Sequence, residues 1–140
     1  MTQEEKELLI KDLCARLPYG VEVSLTDGTY GMVTSISIVP HGTFATVYFN
    51  RDDVKDVSLE EIKPYLRPIS SITQEEYKEF NKKYDIEYDY LLNGKPGHTV
   101  ESAAMNAFEI DFYNSHHIDY RGLIEMGLAL EATKDIYKTE

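Results

Sequence analysis

The sequence predicts an α+β fold in which an N-terminal helix leads into a small antiparallel β-barrel and a helical C-terminal region follows. Three observations carry this reading. A capped stretch with helical periodicity opens the chain, period-two segments punctuated by turn residues fill its middle, and further capped helical patterns lie beyond residue 72. The 140 residues are enough for an ordinary core without metal or disulfide, and a hydrophobic fraction of 42% with 28% charged residues is that of a globular chain.

Thr2 and Glu5 have the spacing of a capping box, and Leu9, Ile10, Leu13, Cys14 and Leu17 recur at helical intervals, so a helix is predicted over about 3–17 with those residues inward. Pro18 and Gly20 end it. Three alternating segments follow: Val21, Val23 and Leu25; then Tyr30, Met32, Thr34, Ile36 and Ile38; then Phe44, Thr46 and Tyr48. Asp27-Gly28 predicts a type I′ hairpin turn, and Pro40 to Gly42 the second turn. Residues 51–57 form a charged loop with room for a fourth strand, and Ser58 with Glu61 caps one helical turn. Pro64 and Pro68 then mark residues 63–68 as an edge or closing strand, because proline cannot donate to a ladder. This order is that of small SH3-like barrels, which places the barrel over about 20–70 and a first unit over 1–72.

Thr73 and Glu76 open the next helix, with Tyr77, Phe80 and Tyr84 on one stripe. Residues 84–90 alternate as a strand, Tyr84, Ile86, Tyr88 and Tyr90 on one face and Asp85, Glu87 and Asp89 on the other, although Tyr84, Tyr88 and Leu91 also extend the helical stripe. A helix over about 101–115 turns Ala104, Ala107, Phe108 and Phe112 inward, and Asp119 is placed to cap a final short helix through Leu130 that Gly122 and Gly127 weaken. Residues 73–140 are thus expected as a helical region packed on the barrel.

The formal net charge is −11, with four more acids than bases in residues 1–70 and seven more in 71–140. Lysines and arginines that neutralise phosphate dominate nucleic-acid affinity, so neither nucleic acid nor an anionic membrane is an expected partner. The opening residues lack a basic segment followed by an apolar stretch, no apolar run approaches the length of a membrane helix, and Cys14 is the single cysteine. A cytoplasmic protein is the expectation.

Chemistry concentrates in one place. Asp111, His116, His117, Asp119 and Arg121 form the densest polar cluster, and His with carboxylate is a ligand set for zinc, iron or manganese. Adjacent histidines diverge on either a helix or a strand, so His116 with Asp119 is the better pair. The structural alternative makes Asp119 a cap, pairs Arg121 with a carboxylate and lets the histidines close the preceding helix, where the dipole favours cations. Cys14 lies on the apolar stripe and is expected in the core. Gly94-Lys95-Pro96-Gly97 lacks phosphate-loop spacing and reads as a turn. Tyrosine is abundant, 11 residues against 5 Phe and no Trp, which suits a recognition surface. Tyr84, Tyr88 and Tyr90, interleaved with Asp85, Glu87 and Asp89, form the candidate strip for a basic or peptide partner.

Residues 8–23 (LLIKDLCARLPYGVEV), 62–73 (IKPYLRPISSIT) and 111–132 (DFYNSHHIDYRGLIEMGLALEA) together resemble a family of small proteins encoded in gut bacterial genomes, often in prophage-like or other mobile regions, to which no activity is assigned. The resemblance implies a bacterial cytoplasm and an accessory role. Phe112-Tyr113 stands here where that family usually has Trp-Leu before the Asn-x-His-His step. The expected function is therefore a non-enzymatic interaction module with a protein partner and no cofactor. Two alternatives are a metal-dependent hydrolase using His116, Asp119, Asp111 and His117, and an acidic DNA-mimic inhibitor.

Overall fold

The computed structural model describes residues 1–83, 100–133 and 135–137. The strip of Tyr84, Asp85, Glu87, Tyr88, Asp89 and Tyr90 lies outside them. Helix α1 (Gln3–Arg16) is followed by strands β1 (Val21–Leu25), β2 (Tyr30–Val39), β3 (Gly42–Asn50), β4 (Asp53–Ser58) and β5 (Ile62–Leu66), helices α2 (Gln74–Lys83) and α3 (Val100–Ser115), and a short β6 (Leu130–Glu131). The strands form one curled sheet in the order β4-β3-β2-β1-β5-β6. It is mixed rather than wholly antiparallel, because β6 runs parallel to β5.

Local signals place the element ends. Thr2 Oγ1 accepts the Glu5 amide at 3.0 Å while Glu5 Oε1 accepts the Thr2 amide at 2.8 Å, a complete capping box on α1. Ser58 with Glu61 repeats the device on the 3-10 turn before β5. Thr73 with Glu76 repeats it on α2. The β1–β2 turn is not type I′. Gly28 donates to the Leu25 carbonyl at 3.0 Å, Leu25 donates to Thr29 at 2.8 Å, and only Gly28 has positive φ (90°) there, so the loop is three residues closed by a left-handed glycine. Asp27 Oδ1 accepts from both the amide and the hydroxyl of Thr29, which favours this longer loop.

The inner face of the sheet also departs from simple alternation. Val33 is buried opposite Val47, whereas Tyr30 and Met32 point to solvent. The register then shifts between Val33 and Ser35, and one extra residue in β2 turns Ile36 toward the core opposite Ala45. An unbroken count of two from Tyr30 to Ile38 therefore puts residues of two faces on one. β5 is no edge strand: β1 and β6 flank it. Pro64 faces Val23 of β1, and β6 pairs only at Tyr65 and Leu66, so no ladder on that side asks Pro64 for a donor.

Beyond α3 the expected final helix reduces to a single turn. Met126 donates to Gly122, Leu128 to Leu123 and Gly127 to Ile124, and the turn closes on Gly127 with φ 75° in the 6→1, 5→2 pattern that ends helices. The chain then enters β6. The apolar core unites Leu9 and Leu13 of α1, Val21, Val23, Val33, Val47, Ile62 and Leu66 of the sheet, and Leu123, Leu128 and Ala129 of this last turn. Cys14 and Ala107, both expected inward, are exposed.

Candidate functional site

The buried stripe of α1 is Leu9, Asp12, Leu13 and Arg16, one residue round the helix from the all-apolar set. Asp12 and Arg16 are both 0% exposed. Burying two charges is tolerable only when each is paired and hydrogen-bonded. Arg16 Nε and Nη2 donate to the two Asp12 carboxylate oxygens at 2.8 and 3.1 Å, and Nη2 also donates to the Ile118 carbonyl at 2.7 Å. Arg121 brings a second guanidinium, its Nε 3.3 Å from Asp12 Oδ1 as an ion pair without hydrogen-bond alignment. Both guanidiniums also lie over the Tyr120 ring, the Arg16 and Arg121 carbons 5.3 and 4.9 Å from its centroid. An i,i+4 acid–base pair inside a helical stripe was the only local signal for this cluster. What buries it, residues 118–121, is a hundred residues away in the chain.

The His116–Arg121 segment thus acts as the plug on α1, and each of its members has a place. His117 takes φ 61° and closes α3, its amide donating to Asn114 and the Ile118 amide to Tyr113. Its ring stacks on Tyr137 with centroids 3.4 Å apart, and burial, then the positive charges of Arg16, His116 and Arg67, lowers its pKa to about 4. His116 turns the other way, its Nδ1 2.9 Å from Glu76 Oε2. Arg67 grips the same carboxylate through Nη1 and Nη2 at 2.8 and 2.7 Å, and the Arg67 hydrogen bonds bring Glu76 down to about 2. Asp119 accepts the Leu123 and Ile124 amides at 2.9 Å on its two oxygens and so caps the last turn. Asp111 is exposed on α3. Of the metal-type candidates, His116 faces Glu76, His117 faces Tyr137 and Asp119 faces backbone. Among the described residues no group of three or more His, Cys, Asp or Glu side chains is placed to hold a metal ion.

Tyr137 completes the wrap. Its hydroxyl donates to the Tyr65 carbonyl at 2.6 Å and accepts the Glu22 amide at 3.0 Å, bridging β1 and β5 just beyond Pro64. Burial raises its pKa far above the ordinary phenol value.

Among the described residues, two surfaces are candidates for recognition. On the outer face of the sheet Met32 pairs with Tyr48 and Tyr48 with Val54, and these three, with Tyr30 beside them, are 38–58% exposed. The other is a cleft of about 440 Å³ where α2, α3 and Tyr19 meet. Phe80, Phe108 and Phe112 line it with Tyr19, Ser115 and His116, and with Glu79 and Asp111. The Phe80 ring lies 5.3 Å from that of Phe108 and 5.1 Å from that of Phe112, while Phe112 rests 4.5 Å from His116. The Arg67–Glu76–His116 set thereby fixes one wall of the cleft.

No family model matches the chain, and no curated protein or solved structure matches it. No helix among the described residues is long and apolar enough to cross a membrane.

Proposed function

We propose that this chain is a non-enzymatic protein-interaction module, an accessory protein of a bacterial mobile element working in the cytoplasm. Its sheet serves as an SH3-like scaffold, and residues 73–140 serve as a helical region packed on it. The observation that carries the reading is the exposed row of Met32, Tyr48 and Val54 with Tyr30, set across three neighbouring strands. A sheet with one face to water ordinarily alternates apolar-in with polar-out, and side chains that break that rule together mark a contact surface. His116 and Arg121 sit in ion pairs and Asp119 caps the last turn, which favours the non-enzymatic side of the reading.

Charge sets the partner's character. With −11 on the chain and Glu22 and Asp56 beside the row, the complementary surface is apolar at its centre and basic at its rim. The strip of Tyr84, Tyr88 and Tyr90 with Asp85, Glu87 and Asp89 is proposed as a further contact of the same chemistry. The test is affinity capture from bacterial cytoplasmic extract with quantitative proteomics, comparing the natural chain with a Tyr48→Ser, Val54→Thr variant. A basic protein enriched by the natural chain and lost with the variant is the expected result. Identical protein sets from both baits would overturn the reading.

A further inference from the structure

We propose that the partner meets the row of Met32, Tyr48 and Val54 with one face of a basic amphipathic helix, laid across the strands with a lysine or arginine against Glu22. The inference rests on the sheet row as the contact surface and deepens that reading by naming the element that fills it. The strand register sets out the target. Glu22 of β1 lies opposite Met32 of β2, Met32 opposite Tyr48 of β3, and Tyr48 opposite Val54 of β4, so one line crosses four strands and carries an acid at its β1 end. Its three large side chains are exposed. The neighbouring line is polar: Thr46 and Asp56 lie opposite each other two residues from Tyr48 and Val54 on the same face, and the Thr46 hydroxyl donates to the Asp56 carboxylate at 2.7 Å. The apolar surface therefore runs across the strands rather than along them, with Tyr30 beside Met32 as its one-strand widening.

Spacing selects the occupant. Side chains paired on neighbouring strands stand about 4.8 Å apart, so Met32, Tyr48 and Val54 together span about 10 Å. A helix presents positions i, i+3 or i+4, and i+7 at intervals of about 5.4 Å, roughly 10.5 Å in all, and meets the three with three anchors. An extended segment laid the same way repeats one face only every ~6.8 Å and brings two. The turn of helix beyond Met32 falls over Glu22 at the same interval. Glu22 is half-buried and burial raises the pKa of its carboxyl, so a cation brought beside it favours the charged form and is held by it. The chain's net charge of −11 draws a basic element in the same sense. Met32 is seated closely from one side, since a Cβ at Gly20 would stand 3.3 Å from its sulfur.

The experiment is a phage selection on the purified full chain from random peptides of about 16 residues, about four helical turns, after removal of those that also bind the Tyr48→Ser, Val54→Thr variant. The peptides that remain should carry apolar residues at i, i+3 or i+4, and i+7, with a lysine or arginine one turn beyond one end of the three. The best of them, synthesised, should become helical by circular dichroism when bound. Selection on Glu22→Lys should replace that basic residue with an acid, and the natural chain's best peptide should bind this variant about tenfold or more weakly. Row-dependent peptides with a two-residue period, or helical ones indifferent to Glu22→Lys, would overturn the helix while leaving the row a contact surface. A selection that yields no row-dependent peptide would overturn both. If Glu22→Lys does not keep its fold, Glu22→Gln decides, through loss of the basic preference.

Discussion

The inner face of the sheet and the buried face of α1 are equally dry but are held by opposite means. Val21, Val23, Val33, Val47, Ile62 and Leu66 pack as aliphatic neighbours on adjoining strands, a contact that weakens by degrees as volume is removed. Asp12 and Arg16 are held by each other, by the Ile118 carbonyl and by Arg121, and losing one partner strands a charge out of water. A fold can thus contain a graded core and an all-or-none lock side by side, and here the lock joins α1 to the last third of the chain.

The sharpest way to break the contrast is Asp12→Ala. It leaves Arg16 buried without its carboxylate and should cost about 3–5 kcal/mol in urea denaturation. A loss below that of an ordinary aliphatic truncation would remove the distinction. Next in size is Tyr137→Phe, which takes the hydroxyl from the Tyr65 carbonyl and the Glu22 amide and should cost about 1–3 kcal/mol by the same measurement.

Acid probes the lock from another side. Folded His117 titrates near 4 against an ordinary value of 6.5, so between these values the unfolded chain binds more protons. The stabilisation is complete above about pH 6.5 and is lost as pH falls toward 4, on the order of 1–2 kcal/mol after allowance for its partial exposure. Glu76, folded value about 2, loses its contribution only between about 4.5 and 2, which separates the two windows. Asparagine tolerates the left-handed backbone at 117, so stability curves of His117→Asn should lack the first slope. The smallest effect belongs to Cys14→Ser: at an exposed site it should change stability by less than about 0.5 kcal/mol, and the natural thiol should react with a maleimide in the folded protein.

What was legible in the sequence follows the same division. The capping boxes at Thr2, Ser58 and Thr73 join residues three apart and could be read directly, as could the strands they separate. The extra residue in β2 was hidden because a bulge carries no fixed sequence mark, and it put Met32 and Ile36 on different faces. Cys14 was misplaced because apolar character pointed to one helical face while burial by residues 118–121 selected the next. The cleft's aromatic residues fell on recognisable helical stripes, but their meeting with Tyr19, and the pairing of His116 with Glu76, depend on how separate elements pack.

Arg16 locks the 118–132 segment onto a sheet that would otherwise keep its structure. Native-state hydrogen exchange of Arg16→Met tests this most directly. The amides of Asp119, Leu123, Leu128 and Ala132, bonded to Arg67, Asp119, Leu123 and Leu66, should lose about tenfold or more protection beyond any loss at Val33 and Val47. Equal loss at all of these amides would show one undivided cooperative unit and contradict the claim.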